Sequence, residues 1–110
     1  MPRYMHQFRY STESVRAMTA KPQDRRSAAK KLIAAAGGKL IDIYFCFGDY
    51  DGVVISEFPS NVDAASVALA AGASGAFSAM KTTVLITMEE SVEAMARTGK
   101  IADLAGRGLV

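Results

Sequence analysis

Four stretches of this 110-residue chain read as strands from their apolar and β-branched pattern, with helical stretches between most of them. The chain is organised around residues 40–59, LIDIYFCFGDYDGVVISEFP, where two apolar runs, 40–47 and 53–58, flank Gly48-Asp49-Tyr50-Asp51-Gly52. Aromatic and β-branched residues crowd both runs, and the spacer combines terminal glycines with two aspartates, which is turn chemistry. The pattern predicts a β-hairpin. In its first strand Ile41, Ile43, Phe45 and Phe47 form an apolar face, and Leu40, Asp42, Tyr44 and Cys46 a mixed one. In its second, Val53, Ile55 and Glu57 oppose Val54, Ser56 and Phe58, and Pro59 stops the run.

Residues 4–10 alternate too, with Tyr4, His6, Phe8 and Tyr10 on one side and Met5, Gln7 and Arg9 on the other. Ser11 and Thr12 are good N-caps for a short helix over 13–20. Pro22 interrupts it and restarts it, since proline suits a first helical position. Over 22–36, Ala28, Ala29, Leu32, Ile33 and Ala36 share one helical face, and Arg25, Arg26, Lys30 and Lys31 take the other. Gly37 is the expected left-handed cap. Ser60 and Asp63 open a helix over 61–71, so rich in alanine that close cover on more than one side is expected. The last strand is expected over 80–88, with Met80, Thr82, Val84, Ile86 and Met88 on one face and Lys81, Thr83, Leu85 and Thr87 on the other. Thr87 with Glu90 predicts a capping box, and Val92, Met95 and Ala96 the buried stripe of a third helix ended by Gly99. Residues 100–110, with three small-residue breaks, read as a loosely docked tail.

The order is β-α-β-β-α-β followed by a helix. Right-handed crossovers turn that order into an α+β, ferredoxin-like fold: a four-stranded antiparallel sheet, both main helices on one face, and a C-terminal helix. The expected organisation is one domain over 1–99 and a tail over 100–110. The other sheet face stays bare and carries Met5, Tyr44, Leu85 and Phe58. Such a face predicts a homodimer packed sheet to sheet, with any higher oligomer left open.

Composition changes this picture little. A single cysteine, Cys46, excludes an internal disulfide or a multi-cysteine metal site and reads as a small buried hydrophobe. No apolar leader opens the chain at Met-Pro-Arg-Tyr, and no run reaches the roughly 20 apolar residues of a membrane span, so the expected setting is cytoplasmic, without a membrane partner. The net charge of +2 divides into +7 through Lys39 and −5 beyond it. That asymmetry marks either a solvated helix surface or an anion-binding face built on Arg25, Arg26, Lys30 and Lys31. No aromatic side chains interleave with those cations, so a nucleic-acid partner is not expected.

The order of elements, together with GGKLIDIYFCFGDYDGVVISEFPSNVDAASVALAAGASG and the following MKTTVLITMEE, resembles the GYD domain family. That family is named for a Gly-Tyr-Asp signature in the hairpin turn, present here as Gly48-Asp49-Tyr50-Asp51 with one acidic residue inserted. The resemblance runs from Met1-Pro2 to about Arg97. It implies a ferredoxin-like protomer of the dimeric α/β-barrel superfamily, paired through its sheet, and it implies no particular reaction. Relatives in the wider superfamily include small monooxygenases, isomerases and haem enzymes, and carrying their chemistry over would be fold analogy alone.

The residues offer a short list of chemistry. His6 is the only histidine and reads either as a general base or as a hydrogen-bonded core residue. Tyr10 and Tyr50 are the accompanying catalytic candidates, as proton donors. Tyr4, His6, Phe8 and Tyr10 form an apolar wall with polar tips, the make-up of a small-molecule site. Asp49, Tyr50 and Asp51 join the ligand-binding candidates as two carboxylates around a phenol, or serve the turn itself. Gly48 and Gly52 make no phosphate loop, because a strand rather than a helix follows. Arg9 with Asp42 or Glu57 is an expected interface ion pair. No metal or other cofactor is expected, since no second histidine or carboxylate stands at ligand spacing. Three readings follow: a dimer binding a small apolar or aromatic ligand between sheet and helices; a cofactor-free oxygenase, isomerase or lyase for a small carbonyl or phenolic substrate; and an assembly or anion-binding module using the basic helix.

Overall fold

The alternating segment that opens the chain becomes one of the two inner strands of the sheet in a computed structural model, which describes residues 1–106. This strand, β1 (Arg3–Tyr10), buries Tyr4, His6 and Phe8 on one side. The chain continues through α1 (Thr12–Ala20), α2 (Arg26–Ala35), β2 (Lys39–Phe45), β3 (Gly52–Glu57), α3 (Asn61–Ala73), β4 (Phe77–Leu85), α4 (Met88–Ala96) and α5 (Thr98–Gly106). The strands lie in the order β2-β3-β1-β4, and every neighbouring pair is antiparallel. This is the ferredoxin-like α+β fold. Its core gathers Tyr4, Phe8, Ile33, Val54, Phe58 and Ala64 between the sheet and the helices.

Local signals set the helix ends. Ser11, Ser60 and Thr87 each accept a backbone N–H from the residue three positions on, and Thr87 and Glu90 complete a reciprocal capping box. Gly37 adopts φ +75° after α2, where a side chain would be strained. Gly52 is required for another reason: a Cβ there would stand 2.3 Å from Phe8 Cζ, so the hairpin reaches β1 only with the smallest residue.

The structure departs from the expected boundaries where tertiary pairing decides. The second helix begins at Arg26, not Pro22, because the Asp24 carboxylate takes the Arg26 N–H at 2.8 Å and fixes an irregular approach. In β2 the register shifts between Leu40 and Asp42. That bulge leaves Ile41 without a partner and turns both Leu40 and Ile43 toward the core. The expected apolar face through Ile41 and Phe47 therefore does not form, and Phe47, beyond the strand end, is 94% exposed. Strand β4 runs three residues earlier than expected because β1 supplies partners only from Arg3, opposite Leu85, to Tyr10, opposite Phe77. Ile86 and Met88 fall past that edge and leave the sheet.

Side-chain placement brings further corrections. Phe58, expected on the bare face, continues the inward alternation of Val54 and Ser56 and is 0% exposed. α3 is covered on one side only: Ala64 and Ala71 are buried, while Val62 and Leu69 face out. The stripe expected to be buried on α4 is exposed at Val92, Met95 and Ala96. Residues expected as a loose tail form α5 as far as Gly106, and 107–110 of that tail lie outside the described residues. The ion pair on the sheet is Arg3 with Glu57 at 3.4 Å, whereas Arg9 donates to the Gly48 carbonyl at 3.0 Å and Asp42 accepts the Tyr44 hydroxyl at 2.6 Å. Helices α4 and α5 extend from the end of β4 and stretch the molecule to 60 × 26 × 22 Å. No helix among the described residues is long and apolar enough to cross a membrane.

Candidate functional site

The inward side of β1 divides into two aromatic groups. Tyr4, His6 and Phe58 form the first, with ring centroids 5.8–6.2 Å apart. Phe8, Tyr10 and Phe77 form the second at 5.2–5.5 Å, with Tyr10 and Phe77 stacked. The first group is closed. Tyr4 donates its hydroxyl proton to Asn61 Oδ1 at 2.6 Å and is buried. His6 has Nε2 2.7 Å from Ser56 Oγ and Nδ1 3.2 Å from Thr82 Oγ1, so both ring nitrogens are engaged by hydroxyls. Burial holds the His6 pKa below its ordinary value, which favours the neutral ring.

The second group borders open space. Phe8, Tyr10, Phe77, Ile43 and Val54 line a cavity of about 140 Å³ between the sheet and helices α2 and α3, and an edge of His6 reaches it. A wider cleft of about 500 Å³ lies beside it, bounded by α1, the α1–α2 connection and the end of β2. Tyr10, Arg25 and Ile43 line both, so the two spaces meet at those side chains. Apolar groups such as Val15, Met18 and Phe45 form the cleft walls, and Asp24, Arg25, Arg26 and Asp51 bring charge to it.

Those charges differ in what they already hold. Arg26 pairs with Asp24 at 3.3 Å. Asp51 accepts the Tyr10 N–H through Oδ2 at 3.0 Å, and its own N–H donates to the Phe8 carbonyl at 2.8 Å. Arg25 donates to the neutral Gln23 Oε1 at 2.6 Å and engages the Tyr10 phenol, and among the described residues it forms no ion pair. The Tyr10 pKa is raised, chiefly by burial and further by the Asp51 charge, with Arg25 opposing the rise. The phenol is therefore a neutral donor near pH 7.

The expected site residues thus separate. His6, Phe8 and Tyr10 border the inner cavity and Asp51 the outer cleft, whereas Tyr4 is a closed core residue. Asp49 and Tyr50 line neither space. The Tyr50 carbonyl instead accepts from Cys46 Sγ at 3.1 Å, and Gly48 adopts φ +139°, so this part of the turn serves its own backbone. Sequence reasoning missed Phe77 and the cavity-facing position of Arg25. A strand drawn to start at 77 would have put Phe77 opposite Tyr10, and Arg25 was visible only as one cation of a basic helix face.

The family described as GYD domain matches residues 4–95. No curated protein matches the chain in sequence. Among solved structures, the crystal structure of FFRP-DM1 is similar at 16% identity with a TM-score of 0.54, covering 78% of this chain and 100% of that one. That of MtbAldR is similar at 16% identity with a TM-score of 0.50, covering 78% of this chain and 53% of that one. At these identities the likeness concerns the fold.

Proposed function

Starting from a chain that belongs to the GYD domain family, we propose that it is a cytoplasmic ligand-binding domain that takes a small apolar or aromatic molecule between its sheet and helices and works as a homodimer. The observation that carries the reading is the inner cavity of about 140 Å³, edged by Phe8, Tyr10, Phe77 and Ile43 and sharing Tyr10, Arg25 and Ile43 with a wider cleft. A cavity of about 150 Å³ lined by apolar side chains is the size that accepts benzene. Catalysis with His6 as base has less support, because both of its ring nitrogens already meet hydroxyls.

Titration with benzyl alcohol, followed by amide chemical shifts, tests the site. Shifts should concentrate at Ile43, Ala68 and Phe77 and vanish in Ala68→Phe, which fills the cavity. A spectrum that does not respond, or responds equally in the filled variant, removes the reading.

The dimer rests on the sheet face away from the helices. Met5, Val53, Ile55 and Leu85 are half-buried there, and Tyr44 is exposed. Two such faces in contact would bury on the order of 1,500 Å². Sedimentation at micromolar concentration should give a dimer that Tyr44→Asp with Leu85→Asp separates, since the pair would place unpaired charge in the contact. A monomeric wild type contradicts this assembly.

A further inference from the structure

We propose that the site is selective for a single-ring monocarboxylate, its ring in the inner cavity and its carboxylate on Arg25. The inference rests on the ligand-binding reading above and adds the charge and size of the ligand. Size comes from the inner space: about 140 Å³ holds one six-membered ring and not two. Charge comes from what stands where that space opens. Arg25 lines both the cavity and the cleft, and among the described residues it is the cation there without a carboxylate partner, since Arg26 is held by Asp24 at 3.3 Å. A guanidinium presents five N–H donors, and Gln23 and Tyr10 leave several of them for a ligand. Its planar fork matches a carboxylate, and two N–H groups can meet the two oxygens at once. A ring seated against Phe8 and Phe77 places a substituent toward Tyr10 and Arg25, which the cavity shares with the cleft.

Asp51 sets the limit to one negative charge. Its carboxylate is fixed on the Tyr10 N–H at 3.0 Å and lines the same cleft, so a second anionic group on the ligand would meet it. The neutral Tyr10 phenol adds a donor beside the guanidinium. The selected molecule is therefore apolar at one end, singly anionic at the other, and of about benzoate size.

Calorimetry of the full chain with benzoate, benzyl alcohol and phthalate tests this. Benzoate should bind about 10- to 100-fold more tightly than benzyl alcohol, the ordinary worth of a hydrogen bond to a charged group. Phthalate should bind more weakly than benzoate. Arg25→Gln should bring benzoate down to about the level of benzyl alcohol. Arg25→Lys, which keeps the charge and loses the fork, should fall between. Lys31→Gln, on the exposed side of α2 and outside both spaces, should change neither ligand. Equal binding of benzoate and benzyl alcohol by the wild type, or equal losses in the Arg25 and Lys31 variants, overturns the proposal while leaving the apolar site intact. If neither compound binds, the ligand reading itself fails. Amide spectra of each variant confirm that it is folded before the comparison is made.

Discussion

β1 and α4 both carry a regular apolar pattern, yet Tyr4 and Phe8 of β1 are buried, whereas Met88, Val92 and Met95 of α4 stand 76%, 63% and 67% exposed. The strand gains its place from two partners and from helices packed over one face. The helix gains its form from its own ends: the Thr87–Glu90 capping box and the Glu93–Arg97 pair one turn apart. No residue of α4 or α5 is buried. The radius of gyration of 17.8 Å measures the result, against about 13 Å for a compact chain of this length. Local chemistry is thus enough to specify a helix, while only non-local packing specifies a core.

The largest contrast comes from truncating one apolar side chain in each region. Phe58→Ala should cost about 3–5 kcal/mol in urea unfolding, and Met95→Ala should stay within about 0.5 kcal/mol. Equal losses would show that the arm is packed in solution and break the comparison. Next is Gly52→Ala, which should cost about 1–3 kcal/mol because its Cβ meets the Phe8 ring. Adding Phe8→Leu should restore part of that loss, and strictly additive effects would rule out the contact. Smaller again is Thr87→Ala. It should loosen α4 locally by about 0.5–2 kcal/mol, read as faster amide exchange between 88 and 92, and leave the unfolding midpoint of the sheet where it was.

The smallest effect sharpens the view of the buried side. His6 has a lowered pKa when folded and titrates at 6.5 when unfolded, so below pH 6.5 the unfolded chain binds more protons. Stability should therefore be fully present above pH 6.5 and decline as the pH falls from there through the lowered folded value. Unfolding midpoints between pH 7.5 and 5.5 should show a slope that His6→Gln lacks. A wild-type midpoint that rises on acidification would mean that His6 is charged in the fold.

What the sequence disclosed follows the same division. The caps at Ser11, Ser60 and Thr87 and the turn at Gly37 were legible because each depends on residues within three or four positions. The inward set Tyr4, His6, Phe8 and Tyr10 was legible because period two needs no partner to be counted. The bulge at Ile41 was not, since it exists only as a mismatch with β3. Nor was Phe77 as a cavity wall, because the span of β4 is measured out by β1. At the site, the family's turn signature attracted Asp49 and Tyr50, yet of the three candidates in the turn Asp51 alone lines the cleft. Arg25 reached the cavity through an irregular approach that Asp24 imposes, a detail no helical wheel contains.

The inner position of β1 also dictates when this protein can fold. Of the four strands in this sheet β1 is made first, and its outer neighbour β4 closes a pairing from Arg3 to Leu85, a separation of roughly 80 residues. At synthesis rates of about 5–20 residues per second, the strand waits about 4–16 s after it is made before that partner exists. During that interval Tyr4, Phe8 and Tyr10 sit on a strand with at least one open edge, the condition under which a nascent chain pairs with its neighbours. Those seconds are the interval in which the apolar side of β1 is exposed before the sheet can close on it.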